Sequence, residues 1–410
     1  MTTESRLLPS LRRQFLAAVG ATGVSSLAGC TGDVLSSGSD AEQCPPYEIP
    51  RWTVGGREWS PPVVHGDHVL ASTRFAVTGD RVDSRLAFVN AGDGSEQWTA
   101  RVEEGSFGVP QVHDDTVFVG TGTDQVFALD AEAGDRQWAY DAGGREKYGG
   151  GAPGQPAVVD DTVVVGISHS EQTDADPTDP ADYTHRVVGL DRETGTERWA
   201  TAVDGLVWSG PTRIDDAADG GTDVVVATEG GSVVRLDATT GEVEWRASLD
   251  AGLERPVLVT HNSLVVATVE GSVRELDPES GDRGWLGTLP DEPSDWTHTD
   301  EGIVVGDDTG RVTAIRPDRD GEQRWQYDAG AAVGGVDGRD GVVYALDRRG
   351  VVHALGATDG SRQSRQRYAE TRGDGCGWNG QVPRTYGLTA SDDSLFLVGR
   401  WLGAVSRDET

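Results

Sequence analysis

The chain has 410 residues, with 68 Asp and Glu against 35 Lys and Arg, and a formal net charge of −33. Its single lysine is Lys147. Such a charge repels phosphate, so nucleic acid is excluded as a partner; a surface this rich in carboxylates suits an exported protein kept hydrated and screened by concentrated salt.

The first segment in chain order reads as an address. Arg12-Arg13 precede Gln14-Phe15-Leu16 and a short apolar stretch to Leu27, a pattern that resembles a twin-arginine export signal. That stretch is too short, and too rich in Gly, Ala and Ser, to be a membrane span. It closes on Leu27-Ala28-Gly29-Cys30, which is similar to a lipobox, so Cys30 is the expected lipid attachment site and mature N-terminus. Residues 1–29 are thus read as a twin-arginine lipoprotein signal, 30–43 as a flexible polar tether, and 44–410 as the folded domain. The implied location is the outer face of the cytoplasmic membrane, with the membrane contacted through the lipid.

The domain is organised around a repeated cassette. LDAEAGDRQW (129–138) returns as LDRETGTERW (190–199), LDATTGEVEW (236–245) and LDPESGDRGW (276–285). VNAGDGSEQW (89–98) and IRPDRDGEQRW (315–325) are looser copies, and LGATDGSRQSR (355–365) keeps the Gly but lacks the Asp and the Trp. The successive Trp residues 98, 138, 199, 245, 285 and 325 are 40, 61, 46, 40 and 40 apart, the signature of one repeated supersecondary unit. Each cassette reads as a hairpin turn: the Asp bonds the backbone of the turn, and the Gly takes a left-handed conformation. A Trp recurring once per unit is expected to dock neighbouring units together. Its N–H needs an acceptor, which the preceding turn can supply. Upstream of each cassette lie Val-rich runs, among them PPVVHGDHVLAS (61–72), PQVHDDTVFVGT (110–121), PAVVDDTVVVGI (156–167) and PVLVTHNSLVVAT (256–268). The fourth unit carries an acidic insertion, 215–223, and the third a longer one, 168–185.

Four antiparallel strands per roughly 40 residues make the blade of a β-propeller. The ends complete the count. YEIPRWTVGG (47–56) reads as a lone strand carrying Trp52, and 386–408 supplies three strands with no Trp-bearing fourth. The expectation is an all-β, eight-bladed propeller whose last blade takes its outer strand from the N-terminus and its inner three from the C-terminus. Ring closure of this kind removes exposed sheet edges. Trp52, Trp98, Trp138, Trp199, Trp245, Trp285 and Trp325 are the expected blade-docking residues.

The cassettes resemble the tryptophan-docking repeats of quinoprotein-type propellers, the pyrroloquinoline-quinone-like repeat family. In plan the chain is most similar to the lipoprotein propeller of the outer-membrane β-barrel assembly machine, which implies a non-catalytic scaffold. The alternative that the resemblance implies is an exported dehydrogenase using pyrroloquinoline quinone (PQQ) with Ca²⁺. The quinoprotein enzymes carry a vicinal Cys pair, whereas the cysteines here are Cys30, Cys44 and Cys376, none adjacent. No cofactor is therefore expected.

Other chemistry is sparse. His65 and His68 lie on a strand turn and read as exposed polar residues, and the acids of 168–185 lack the Gly and Glu of an EF-hand loop. Trp59, Phe107, Trp208, Trp296 and Tyr386, with Arg255 and Asp295, precede inner strands and should gather at one mouth of the channel. Two readings stand: wedges between blades, or a funnel for an extended peptide, glycan or small ligand. The expected partner is another protein or such an extended chain, engaged by a monomer. Cys44 and Cys376, flanking the composite blade in an oxidising exterior, are the expected disulfide.

Overall fold

A computed structural model describes residues 47–407 apart from 56–57, 74–75, 79–80, 104–105, 144–153, 170–182, 217–220, 254, 261–262, 290–292, 317–320, 369–386 and 400. The signal, the tether, Cys30, Cys44, Cys376, Tyr386, the side chain of Trp285 and most of the 168–185 insertion therefore lie outside the described residues. The described chain is all-β, with its strands in eight sheets.

Blade 2 shows the plan: Gln111–His113, Thr116–Gly120, Gln125–Asp130 and Arg136–Asp141 pair antiparallel in chain order, from the inner strand outward. The first two strands meet in a two-residue turn, where Asp114 and the equivalent Asp160 and Asp340 have φ near +50°. Asp tolerates the left-handed region better than most side chains, so an Asp-Asp or Asp-Gly pair can make a hairpin turn. Blade 1 adds a short strand, Ala76–Thr78, beside the first half of Arg81–Asn90. In blade 4 the acidic insertion lengthens a hairpin between Thr212–Asp216 and Gly221–Ala227.

Closure follows the expected plan. Trp52–Gly55 pairs antiparallel with Trp401–Ser406, which continues to Ser394–Val398 and Gly387–Ala390. One detail differs: 47–56 is not a single strand. Tyr47–Glu48 pairs parallel with Arg362–Tyr368, the outer strand of blade 7, before the chain crosses to blade 8. Pro50, which has no N–H to give to a ladder, stands between the two pieces.

The core is a series of apolar seams between blades. Between blades 6 and 7, Val304, Val312, Ala314 and Trp325 pack on Val333, Val336, Val343, Ala345 and Leu355. Each sheet thus buries both faces, which accounts for Val-rich inner strands with little alternation.

Candidate functional site

The cassette is a two-blade device. The Asp folds its own turn: Asp191 Oδ1 accepts the Glu193 and Thr194 N–H at 3.1 and 2.8 Å, and Asp237 does the same for Thr239 and Thr240. The Trp indole N–H, however, does not donate to its own preceding turn. It reaches the cassette of the next blade: Trp98 to Ala131 O, Trp138 to Arg192 O, Trp199 to Ala238 O, Trp245 to Pro278 O and Trp325 to Ala357 O, at 2.8–3.0 Å. Trp52 closes the ring in the same way on Ala91 O at 2.9 Å. The next cassette's Gly lies flat on the indole. A Cβ on Gly195 (φ +69°) would stand 2.5 Å from the Trp138 ring. The Gly is therefore fixed twice, by a positive φ and by the ring over it.

This explains the worn seventh cassette. Gly360 remains because Trp325 lies on it. Ser364 stands opposite Ala354, where Trp138 stands opposite Ala128. A Trp there would have to dock on a cassette in blade 8, whose third and outer strands come from opposite ends of the sequence. Arg407 takes over: its N–H donates to Asp393 O, and its guanidinium bonds Ser391 O and pairs with Asp340 of blade 7 at 2.7 Å. Arg339 pairs with Asp392 across the same seam.

Of the candidate funnel residues, Trp59 and Phe107 are each 2 % exposed and lie in inter-blade clusters. The Arg85 guanidinium stands 5.0 Å above Trp59, and Phe107 meets Phe127 edge-on at 6.4 Å. Trp296 is buried among Val265, Ala267, Leu289 and Ile303. Trp208 and Arg255 are half-buried. The side chains that pack between blades leave little ring surface for a ligand.

Asp295 is different. Its carboxyl is enclosed by protein, although the residue keeps some surface exposure. Oδ2 accepts the N–H of Val336 on the next inner strand at 2.9 Å, and Oδ1 its neighbour Trp296 N–H at 3.0 Å. Burial pushes its pKa up to about 6, opposed by those N–H groups and by Arg255. Asp337 repeats the device one blade on: Oδ2 accepts Ala390 N–H at 2.8 Å, and burial again raises its pKa. Thr389 then passes a hydrogen bond to Pro62 O of blade 1 at 2.8 Å. Asp337, not foreseen, could have been found as the acid amid VGGVDG, where small neighbours allow inner strands to meet closely. A Cβ on Gly335 would stand 2.8 Å from Leu388 N.

On the cassette face, where blades 8 and 1 meet, a cavity of about 600 Å³ is lined by Arg51, Arg339, Asp67, Asp392, Asp393 and Phe396. A smaller one, about 200 Å³, lies between His298–Glu301 and Gly338–Val342. His65 and His68 face each other across their hairpin, and His68 stacks on Phe88 at 4.5 Å rather than joining a metal cluster. Among the described residues no group of three or more His, Cys, Asp or Glu is placed to hold a metal.

The family profile described as outer membrane protein assembly factor BamB matches residues 49–205 and 183–335. The chain belongs to this PQQ-like propeller family. The crystal structure of BamB from Moraxella catarrhalis superposes with a TM-score of 0.57 at 20 % identity, over 81 % of this chain and 95 % of that one. Quinohemoprotein alcohol dehydrogenase from Comamonas testosteroni gives 0.61 at 14 % identity, over 85 % of this chain and 71 % of the enzyme. At these identities the BamB and quinohemoprotein likenesses show the fold alone. Among curated proteins, the serine/threonine-protein kinase AfsK of Streptomyces griseus is 28 % identical over 174 residues, 41 % of this chain but only 20 % of the kinase. The chain thus spans about a fifth of that relative's length.

Proposed function

We propose that this BamB-like propeller is an exported, lipid-anchored binding or assembly scaffold for another protein, without catalytic chemistry of its own. One observation carries the reading: the polar groups that the repeat and the inner strands place at the blade seams go into joining one blade to the next. The cassette Trp N–H groups, Asp295, Asp337 and Arg407 each bond across a seam. What is left for function is the polar rim and the cassette-face cavity. A PQQ and Ca²⁺ site is the alternative from the fold family; the scaffold reading is supported against it by the cysteines, none of which are adjacent.

Thermal unfolding of the mature protein with added PQQ and Ca²⁺, together with an artificial-dye reduction assay, tests this directly. The scaffold reading expects neither stabilisation nor dye reduction; either result would replace it with the dehydrogenase. The anchor is tested by Cys30→Ser, which should move the folded propeller from the membrane fraction to the medium. A mutant that stays in the membrane sinks the anchor.

A further inference from the structure

One outer strand departs from all the others. Arg362–Tyr368 reads RQSRQRY, with three Arg and no carboxylate. Every other outer strand (EQWTARVE, RQWAYD, ERWATAV, VEWRAS, RGWLGT, EQRWQYD and WTVG) holds at most one Arg. In a chain of net charge −33, this is a local inversion of sign. Arg362, Gln363 and Arg365 are exposed. Among the described residues neither Arg362 nor Arg365 has an ion pair, while Arg367 is engaged. The nearest carboxylate in sequence, Asp359, is turned into its own loop and accepts Ser361 N–H at 2.9 Å. The strand also lacks the docking Trp: Ser364 stands in its place, with a buried hydroxyl that has no partner, and Tyr368 alone packs into the seam with blade 8.

The edge of this strand already accepts an added strand. Tyr47 and Glu48 pair parallel with Arg367 and Tyr368, and one of those two guests is an acid. Pro45-Pro46, immediately before Tyr47, are poor continuations of this ladder because neither has an N–H to give. N–H groups alternate toward and away from a neighbouring strand, so one of two successive prolines fails to supply a needed donor. The edge from Arg362 to Gln366 has no partner among the described strands.

We infer that the outer edge of blade 7, Arg362–Gln366, is a docking edge for an extended, acidic polypeptide segment of a partner protein, which adds as a strand beside Tyr47–Glu48. Backbone hydrogen bonds would supply the pairing, and the arginines the selection for Asp and Glu side chains. The assignment rests on the scaffold reading above and names where the partner's chain binds.

The test uses the mature full-length protein at the lowest salt at which it stays folded. The probe is a fluorescent ten-residue peptide alternating Glu with Val and Thr. Binding should slow hydrogen exchange of the amides of 362–366. The R362E/R365E double variant should weaken binding about tenfold, and Arg365→Gln by a smaller factor, while circular dichroism stays unchanged. Equal affinity in the double variant, no added amide protection, or binding of anionic lipid vesicles in place of the peptide would each overturn the assignment. If the wild type ignores the peptide yet still crosslinks to a protein in its membrane, the docking edge is refuted and the scaffold reading stands.

Discussion

Trp138 and Gly195 belong to different blades and act as one residue pair. The indole is 8 % exposed, gives its N–H to Arg192 O and carries the next blade's Gly on its face. Trp138→Ala should cost roughly 3–5 kcal/mol, since it removes a large buried aromatic and leaves a seam void. Chemical denaturation measures this, and a loss below about 1 kcal/mol would mean that the indole is not a docking residue. Asp295 makes a pH prediction of the opposite sign from most surface acids. Its ordinary value of 3.8 is pushed up to about 6 by burial. The folded state therefore holds a proton that the unfolded state has released, and stability falls as pH rises from about 4 to 6. Asp337, shifted in the same direction, adds to the slope. Asp295→Asn keeps an oxygen for the Val336 N–H and removes the charge. It should flatten stability across that window and gain up to about 3 kcal/mol at neutral pH. An unchanged slope in the variant would show that the buried carboxyl does not titrate there.

At the scale of the strand and turn, much was legible because the repeat states its own physics. The Val-rich runs, the Asp and Gly of the turn and the spacing of the Trp residues gave the blade. The split last blade followed from what each end of the chain lacked. Direction was not legible: nothing in LDAEAGDRQW says whether Trp138 docks backward or forward, because that depends on how neighbouring sheets stagger. The inner-strand acids were half legible. Asp295 was found beside an aromatic, whereas Asp337 lies among glycines and announces only a turn. The acidic insertion of blade 4 hid a further element. Within it, Asp223 pairs with Arg235 at 2.5 Å, both side chains close to 10 % exposed, and Arg235 also donates to Pro278 O, the acceptor of Trp245. Asp223→Ala would strand a buried guanidinium and should cost about 3–5 kcal/mol. Replacing both residues by apolar ones of similar size should restore most of that loss. A thermal scan of the single and double variants checks this, and additive losses would show that the two residues are not coupled.

For the whole molecule the question is what holds the ring shut. Every junction from blade 1 to blade 6 whose indole is described, and the junction of blade 8 with blade 1, is bridged by a Trp on a cassette. Between blades 7 and 8 the apolar seam, with Leu346, Val352 and Tyr368 packed among Leu388, Leu397 and Trp401, has no such Trp bridge; the side-chain bonds across it are Arg407–Asp340, Arg339–Asp392 and Asp337 with the Ala390 N–H, and the N-terminal chain crosses it from Tyr47–Glu48 to Trp52–Gly55. Exposed ion pairs contribute little, about 0–1 kcal/mol each, and less in salt. A covalent closure would add to this junction, which has no Trp bridge among the described residues, and the two candidate cysteines flank its strands in sequence. Cys44 is three residues before Tyr47, which pairs with Arg367; Cys376 is eight residues after Tyr368. At about 3.3–3.6 Å per residue, both chains have ample reach to meet. We propose that they form a disulfide that locks the seam. The loop it closes exceeds 300 residues, for which a chain-entropy estimate gives roughly 5 kcal/mol. Mass spectrometry of the unreduced mature protein should find Cys44 joined to Cys376. Reduction, or Cys376→Ser, should lower the melting temperature and speed hydrogen exchange first in the strands of blade 8. Two free thiols, or a melting temperature indifferent to reduction, would leave the ring closed by its apolar seams, Trp52 and hydrogen bonds alone.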